Sequence, residues 1–210
     1  MNSTLTTNLL PASDPPPARS KVVLAAVLFE GGLAAIALAG GWLTGHSVLA
    51  EVRLDLRDAL VGLAATVPLI VALLAVVRVP WRPLRRLVAL IEEVVVPLFE
   101  RCRTLDFALI ALVAGVGEEL LFRGLVQGWL DTHWGTPAAL LLASLLFGAA
   151  HAVTWTYAVY ATLVGVYLGW LWLATGNLLV PAIVHAAYDF VALVYLARRG
   201  RPQEREQLDD

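Results

Sequence analysis

A bundle of membrane-spanning α-helices is the fold class that this sequence predicts, because both its composition and its apolar runs favour one. Hydrophobic residues make up 59% of the 210 residues and charged residues only 15%, and the mean hydropathy is +0.75. Both properties lie outside the usual range of soluble domains. A helix that crosses a bilayer needs about 20 mostly apolar residues. Six candidate spans follow, of which the fourth is short: 22–44, 59–79, 105–130, 137–153, 156–175 and 178–197.

The remaining segments predict two tails and a surface helix. Residues 1–20 are rich in proline and predict a disordered cytoplasmic tail, 21–198 a transmembrane bundle, and 199–210 a charged cytoplasmic tail. The segment "PWRPLRRLVALIEEVVVPLFERCRT" combines basic residues with an apolar face, which is typical of an amphipathic helix on the membrane surface. The first apolar run is too long for a cleaved signal peptide, so we expect it to stay as an anchor.

The distribution of lysine and arginine predicts the orientation. If the chain crosses six times, the basic residues before the first span, after the second and after the last all lie on one side. The opposite side receives only Arg53 and Arg57, in a loop that also contains Glu51, Asp55 and Asp58. Basic loops stay on the cytoplasmic side. We therefore expect both termini in the cytoplasm.

Ionisable side chains inside the spans are candidates for a functional site, because each is costly to bury in lipid unless it has a partner. They are Glu30, Glu118, Glu119, Arg123, His151, His185 and Asp189. Glu119 and Arg123 are four residues apart and share a helix face, whereas Glu118 points about 100° away. One arginine neutralises one glutamate. A purely structural ion pair therefore leaves Glu118 without a partner.

Depth in the membrane indicates which of these groups meet. At a rise of about 1.5 Å per residue, Glu118 lies roughly 20 Å from the basic side and His185 roughly 18 Å. The same count places His151 only about 9 Å from that side, so the fourth helix must tilt or its bounds must shift. We expect a water-accessible cluster that contains Glu118, Glu119, His151, His185 and Asp189.

Three motifs on predicted helices carry a resemblance to a known family. "EELLFRG", "FGAAH" and "HAAYD" resemble the EExxxR, FxxxH and HxxxN/D motifs of the CPBP family of intramembrane proteases. That family contains the type II CAAX prenyl endopeptidases and the abortive-infection and bacteriocin-processing proteins. The resemblance covers about 105–197 and implies a helical membrane bundle with its active site between helices. The catalytic residues it implies are Glu118, Glu119, His151, His185 and Asp189, and we expect support from Arg123 and Phe147.

One departure concerns the last motif position, which is often Asn in the prenyl endopeptidase branch and is Asp189 here. An asparagine amide can donate a hydrogen bond to an oxyanion, whereas an ionised aspartate can only ligate a metal or orient a histidine. The prenylated substrate of that branch is therefore not carried over to this chain.

The chemistry of peptide hydrolysis assigns a role to each group. A carboxylate in a low-dielectric site is a competent base near neutral pH, so we interpret Glu118 as the general base, with His151 positioning the water. Glu119, oriented by Arg123, is a weaker participant. His185 and Asp189 would stabilise the oxyanion or assist the leaving group. Neither Cys102 nor Ser144 has the surroundings of a nucleophile.

The cofactor is left open between no metal and Zn²⁺. The candidate ligands are Glu118, His151, His185 and Asp189, and such a set could hold zinc with an open water position. The HExxH motif is absent, and a metal-free mechanism uses the same residues.

Taken together, the sequence predicts an intramembrane endopeptidase that hydrolyses a membrane-associated protein or peptide with a glutamate-activated water. The alternatives are a non-catalytic membrane scaffold or immunity protein with the same polar cluster, and a proton-coupled transporter, against which the chain shows no two-half symmetry. Dispersed basic residues argue against nucleic acid as a partner. We expect the plasma membrane of a bacterium or archaeon as its location. Glu30 has three possible roles: a partner for Arg123, a wall of the water path, or an interfacial residue.

Overall fold

The computed structural model describes residues 16–199, and these form seven helices joined by short connections. We number the helices in chain order. Two of them contain π-helical stretches: α3 continues from Arg82–Leu90 through Ile91–Val95 to Val96–Leu98, and α4 is continuous over 104–134 through the π-helical Leu120–Gln127. The helices are α1 Arg19–Thr44, α2 Leu56–Arg78, α3 82–98, α4 104–134, α5 Thr136–Ala150, α6 Trp155–Thr175 and α7 Leu179–Arg199.

The all-α prediction is confirmed for the described residues. Four helices in this part of the chain, α1, α2, α6 and α7, are long and apolar enough to cross a membrane, and α5 is a shorter apolar helix. These helices indicate an integral membrane protein. Residues 1–15 and 200–210 of the two predicted tails lie outside the described residues. Arg19, which we expected in the first tail, already belongs to α1.

Helix α4 occupies the centre of the bundle, with α1 and α7 packed directly against it. Two glycines on α4 allow this approach. A Cβ atom at Gly115 would lie 2.6 Å from the backbone nitrogen of Ala186 on α7, and a Cβ at Gly117 would collide with the backbone carbonyl of Glu30 on α1. Both neighbouring helices therefore reach α4 immediately before Glu118, which brings their polar residues to the same level.

Helices α4 and α5 form an antiparallel pair around Gly135, whose φ of +79° is readily adopted by glycine. Glu118 and His151 lie 17 and 16 residues from this turn, so they reach the same level. The residue count alone placed His151 about 9 Å from the basic side, and we expected a tilt or a shift of helix bounds to bring it into the cluster. His151 does reach the cluster, because its Nε2 lies 3.6 Å from Glu118 Oε2. Helix α4 is roughly 45 Å long at 1.5 Å per residue, longer than a bilayer core of about 30 Å. Depth counted from a turn at the membrane edge therefore misplaces α5.

Two ion pairs join helices at the basic side. Both Arg19 Nε and Arg19 Nη2, at the start of α1, donate to the carboxylate of Asp106 at the start of α4, each over 2.6 Å. Arg199 Nε at the end of α7 lies 2.9 Å from Glu92 Oε1 on α3. One apolar cluster beside these pairs contains Val22, Phe99, Phe107 and Ala197. The starts of α1 and α4, the end of α7 and α3 therefore share one end of the bundle.

Helix α3 is amphipathic, as the sequence predicts. Leu87 and Val88 are buried against the bundle, while the arginines on the opposite face are exposed: Arg82, Arg85 and Arg86. Its placement on a membrane surface stays a prediction.

Candidate active site

Glu119 and Arg123 form a fully buried ion pair on α4. Arg123 Nη1 donates to Glu119 Oε1 over 2.7 Å, as the i,i+4 spacing predicts. Arg123 Nη2 also donates to the backbone carbonyl of Gly165 on α6 over 3.1 Å. Both side chains are almost completely excluded from solvent. The arginine thus fixes one carboxylate and connects α4 to α6 at the same time.

Glu119 also orients a histidine on another helix. His185 Nδ1 on α7 lies 2.8 Å from Glu119 Oε1. The same oxygen of Glu119 accepts from Arg123, and it also accepts from His185, so the hydrogen lies on Nδ1 of His185. The other ring nitrogen, Nε2, lies 3.5 Å from Asp189 Oδ2. His185 is thus held firmly on one side and loosely on the other.

Phe147 packs against three of these polar groups. The Arg123 guanidinium carbon lies 4.4 Å from the centre of its ring, a distance typical of a cation–π contact. The rings of His151 and His185 lie 4.5 and 5.8 Å from it, centre to centre. The phenylalanine of the "FGAAH" motif therefore packs against Arg123 and both histidines.

Glu118 faces His151 across the α4–α5 pair. Glu118 Oε2 and His151 Nε2 are 3.6 Å apart. The opposite nitrogen, His151 Nδ1, lies 2.8 Å from the backbone carbonyl of Phe147, which can only accept, so Nδ1 carries a hydrogen. Glu118 Oε2 is buried and has no hydrogen-bond partner among the described residues. The expected meeting of glutamates with both histidines is confirmed, while the catalytic roles stay predictions.

A cavity of about 330 Å³ opens beside Glu118 and contains polar groups from four helices. Its apolar walls come mainly from α2, α3, α4 and α7. Among its polar groups, the hydroxyl groups of Tyr160 and Tyr188 lie 2.9 Å apart. The polar residues that line it are Glu30, Glu118, Tyr157, Tyr160, Tyr188 and Asp189.

The sequence left the role of Glu30 open and did not indicate that the tyrosines belong to a site. Glu30 lines the cavity, and Arg123 is engaged by Glu119 and Gly165 instead. Of the three possible roles for Glu30, the structure thus favours the wall of the water path. Tyr157 and Tyr160 are three residues apart and share a face of α6. That spacing indicated that the two tyrosines share a surface, but it did not indicate which helix they would face.

The four candidate metal ligands do not form a ligand set in this arrangement. Among the described residues, no group of three His, Cys, Asp or Glu side chains is placed to hold a metal ion. His185 contacts Glu119 through Nδ1 and faces Asp189 through Nε2. Zinc binding would therefore require these side chains to rearrange.

Cys102 and Ser144 lack the surroundings of a nucleophile, as expected. Cys102 lies between α3 and α4 and packs against Phe107 and Ala197. Burial raises the pKa of its thiol, which disfavours the reactive thiolate. Ser144 Oγ donates to the carbonyl of Leu140. Neither residue lines the cavity.

Comparison with known proteins identifies the part of the chain that carries this geometry. Residues 101–191 match the family model "Type II CAAX prenyl endopeptidase Rce1-like". This segment is a domain of the Rce1-like type II CAAX prenyl endopeptidase (CPBP) family, and the resemblance read from the three motifs is confirmed. It contains every predicted catalytic residue and excludes α1 with Glu30.

A curated relative shares part of this region. The chain is 36% identical over 85 residues to the uncharacterized protein YpbD of Bacillus subtilis (strain 168). The match covers 39% of this chain and 41% of that relative's length, so the chain spans less than half of the relative it matches. No solved structure matches the chain.

Proposed function

We propose that the protein is an intramembrane endopeptidase that hydrolyses a peptide bond in a membrane-associated protein or peptide. The observation that carries this proposal is the position of Glu118. Its Oε2 is buried, lacks a hydrogen-bond partner among the described residues, and lies at a cavity wall 3.6 Å from His151 Nε2. A carboxylate in such surroundings is suited to general-base catalysis.

The nucleophile of the proposed reaction is a water molecule held by both groups. A separation of 3.6 Å allows one water to lie within about 2.8 Å of Glu118 Oε2 and of His151 Nε2. In neutral His151 the hydrogen on Nδ1 leaves Nε2 as an acceptor. Both groups therefore accept hydrogens from the water, and an oxygen lone pair is free to attack the carbonyl. Glu118 takes the proton as the bond forms.

His185 is the group we assign to the developing oxyanion and the leaving amine. The Nδ1 hydrogen bond to Glu119 fixes the orientation of the ring. A protonated ring directs its Nε2 hydrogen towards the side on which Asp189 lies. Glu119 and Arg123 act through His185 and do not touch the reacting atoms. As the C–N bond breaks, the leaving nitrogen receives the proton that Glu118 took from the water, and the Nε2 hydrogen of His185 assists it.

The membrane placement we propose has six crossings by α1, α2 and α4–α7, with α3 on the cytoplasmic surface. The basic-side contacts Arg19–Asp106 and Arg199–Glu92 support it, because they join helix ends that must share one side. The positive-inside rule places that side, and both termini, in the cytoplasm. The location would be the plasma membrane of a bacterium or archaeon.

Proteomic identification of the termini of membrane proteins tests the proposal. New protein termini are compared among cells that produce wild-type protein, Glu118→Gln or Glu93→Gln. The Glu93→Gln variant is the control, because it changes an exposed carboxylate on α3. We expect termini that appear with wild type and Glu93→Gln and disappear with Glu118→Gln. Identical termini in all three would instead favour a non-catalytic scaffold or immunity protein, in which the polar cluster only packs helices.

A further inference from the structure

Glu30 is the carboxylate of the cavity that has no basic partner among the described residues. Each other carboxylate of the site faces a basic group: Glu119 faces Arg123 at 2.7 Å, Glu118 faces His151 at 3.6 Å, and Asp189 faces His185 at 3.5 Å. Glu30 Oε2 is buried and lacks a hydrogen-bond partner in the described part of the chain. The site thus has one acidic group more than it has basic partners.

The position of Glu30 on the cavity wall is fixed by the backbone. Its carbonyl packs directly against Gly117, the residue before Glu118. The side chain lines the same cavity as Glu118 and Asp189. Helix α1 cannot approach α4 this closely unless position 117 is glycine. The packing of α1 on α4 therefore holds Glu30 at the cavity wall, although Glu30 lies outside the family segment 101–191.

The lining of the cavity defines which ligand it complements. Its charged groups are all acidic, with neither arginine nor lysine among the described lining residues. A second buried acceptor faces the same space: Glu118 is 8% exposed and its Oε2 also lacks a hydrogen-bond partner there. Thirteen further lining residues are aliphatic. Such a space complements a ligand with an apolar body and one positive charge, because an unpaired buried carboxylate gains most from a cationic donor.

We propose that Glu30 is a recognition residue and that this cavity receives a primary ammonium group attached to an apolar segment. The ammonium comes either from a lysine side chain or from a free α-amino group of the substrate. The substrate part of this inference rests on the proposed function, whereas the ammonium site can be tested without any cleavage.

Binding of small amphiphiles tests the site directly. Protein in phosphatidylcholine nanodiscs is dialysed to equilibrium against radiolabelled octylammonium, octanol or octanoate, and empty nanodiscs give the background of partition into lipid. We expect wild type to retain octylammonium in preference to octanol, and octanoate least. Glu30→Gln should weaken octylammonium binding on the order of tenfold, the usual effect of losing one charge-assisted hydrogen bond.

Two further variants keep this test decisive. Glu30→Asp retains the charge and should keep the preference for octylammonium over octanol. Glu100→Gln changes an exposed carboxylate outside the cavity, so this variant should bind like wild type. Thermal unfolding of each variant shows whether it is folded. Equal retention of octylammonium and octanol by wild type, or octylammonium binding that is unchanged in folded Glu30→Gln, would overturn the proposal.

Peptide cleavage then separates the two sources of the ammonium. One apolar peptide has lysine and an acetylated N-terminus, a second has norleucine and a free N-terminus, and a third has norleucine with acetylation. The peptide with the recognised ammonium should have the highest kcat/KM, and Glu30→Gln should reduce that advantage through KM. Ammonium binding without cleavage of any substrate would contradict the proposed function alone. Cleavage of all three peptides with equal kcat/KM would contradict the inference about the substrate and leave the proposed function intact.

Discussion

Glu118 and His151 meet across an antiparallel helix pair, with 3.6 Å between Oε2 of the glutamate and Nε2 of the histidine. Their nearly equal distance from the turn at Gly135 sets this level. The hydrogen bond from His151 Nδ1 to the Phe147 carbonyl then aims the other nitrogen at the carboxylate. The two atoms most important to the proposed mechanism are thus positioned by backbone features rather than by each other.

Loss of the Arg123 side chain should destabilise the bundle. Arg123→Met leaves Glu119 as a buried carboxylate without its guanidinium and removes the bond to the Gly165 carbonyl. We expect the free energy of unfolding to fall by about 3–5 kcal/mol, the usual effect of breaking a buried pair. Denaturant titration in detergent measures it. The double variant Arg123→Met with Glu119→Gln should recover part of the loss, whereas a single-variant change under about 1 kcal/mol would show that the pair is not desolvated.

Contact between α1 and α4 should depend on the absence of a side chain at Gly117. Gly117→Ala forces a methyl group into the Glu30 carbonyl, and overpacking of this kind costs about 1–3 kcal/mol. The matched control is Gly31→Ala on α1, where the added Cβ meets nothing within 4 Å. Thermal unfolding should show a loss for the first variant and none for the second. Equal stability of the two variants would contradict direct contact between Gly117 and the Glu30 carbonyl.

Local pattern was enough to predict the helices and one of the polar contacts. Runs of apolar residues predicted the long helices, and the i,i+4 spacing predicted that Glu119 pairs with Arg123. These features depend only on helix geometry. Contacts between helices were predicted less well, because the depth of His151 depends on how far α4 extends beyond the bilayer core.

The cavity could not be predicted because its lining comes from helices distant in sequence. Glu30 on α1 and Tyr188 on α7 line one space only after both helices pack on α4. No periodicity within either helix indicates that partner. The π-helical stretch Leu120–Gln127, which includes Arg123, likewise has no clear signal in the apolar pattern.

Asp189 should be less important to activity than Glu119. His185 is held by Glu119 at 2.8 Å, but its separation from Asp189 is 3.5 Å. We therefore expect Asp189→Asn to keep peptidase activity within about tenfold, since the amide can also donate to an oxyanion. Initial rates on one substrate, with zinc measured in the same samples, check this. A fall of about 10- to 100-fold, together with loss of bound zinc, would indicate that Asp189 supports a metal.

Both chain termini should lie in the cytoplasm. The basic residues of α3 and the ends of α1, α4 and α7 share one end of the bundle, and such an end faces the cytoplasm. A C-terminal fusion to a reporter that matures only in the cytoplasm should be active, and a fusion to one that matures only outside should be inactive. The reverse pattern would invert the proposed orientation.

Cleavage by purified protein, with and without the Glu118 carboxylate, tests the proposed general base most directly. Wild type and Glu118→Gln, each reconstituted in lipid nanodiscs, are incubated with the same solubilised membrane proteins, and new peptide termini are identified by mass spectrometry. Loss of a general base reduces the rate by about 10²- to 10⁴-fold. We expect new termini with wild type and essentially none with a folded Glu118→Gln protein. New termini that form equally fast with Glu118→Gln, or none with wild type on any membrane protein, would contradict the claim.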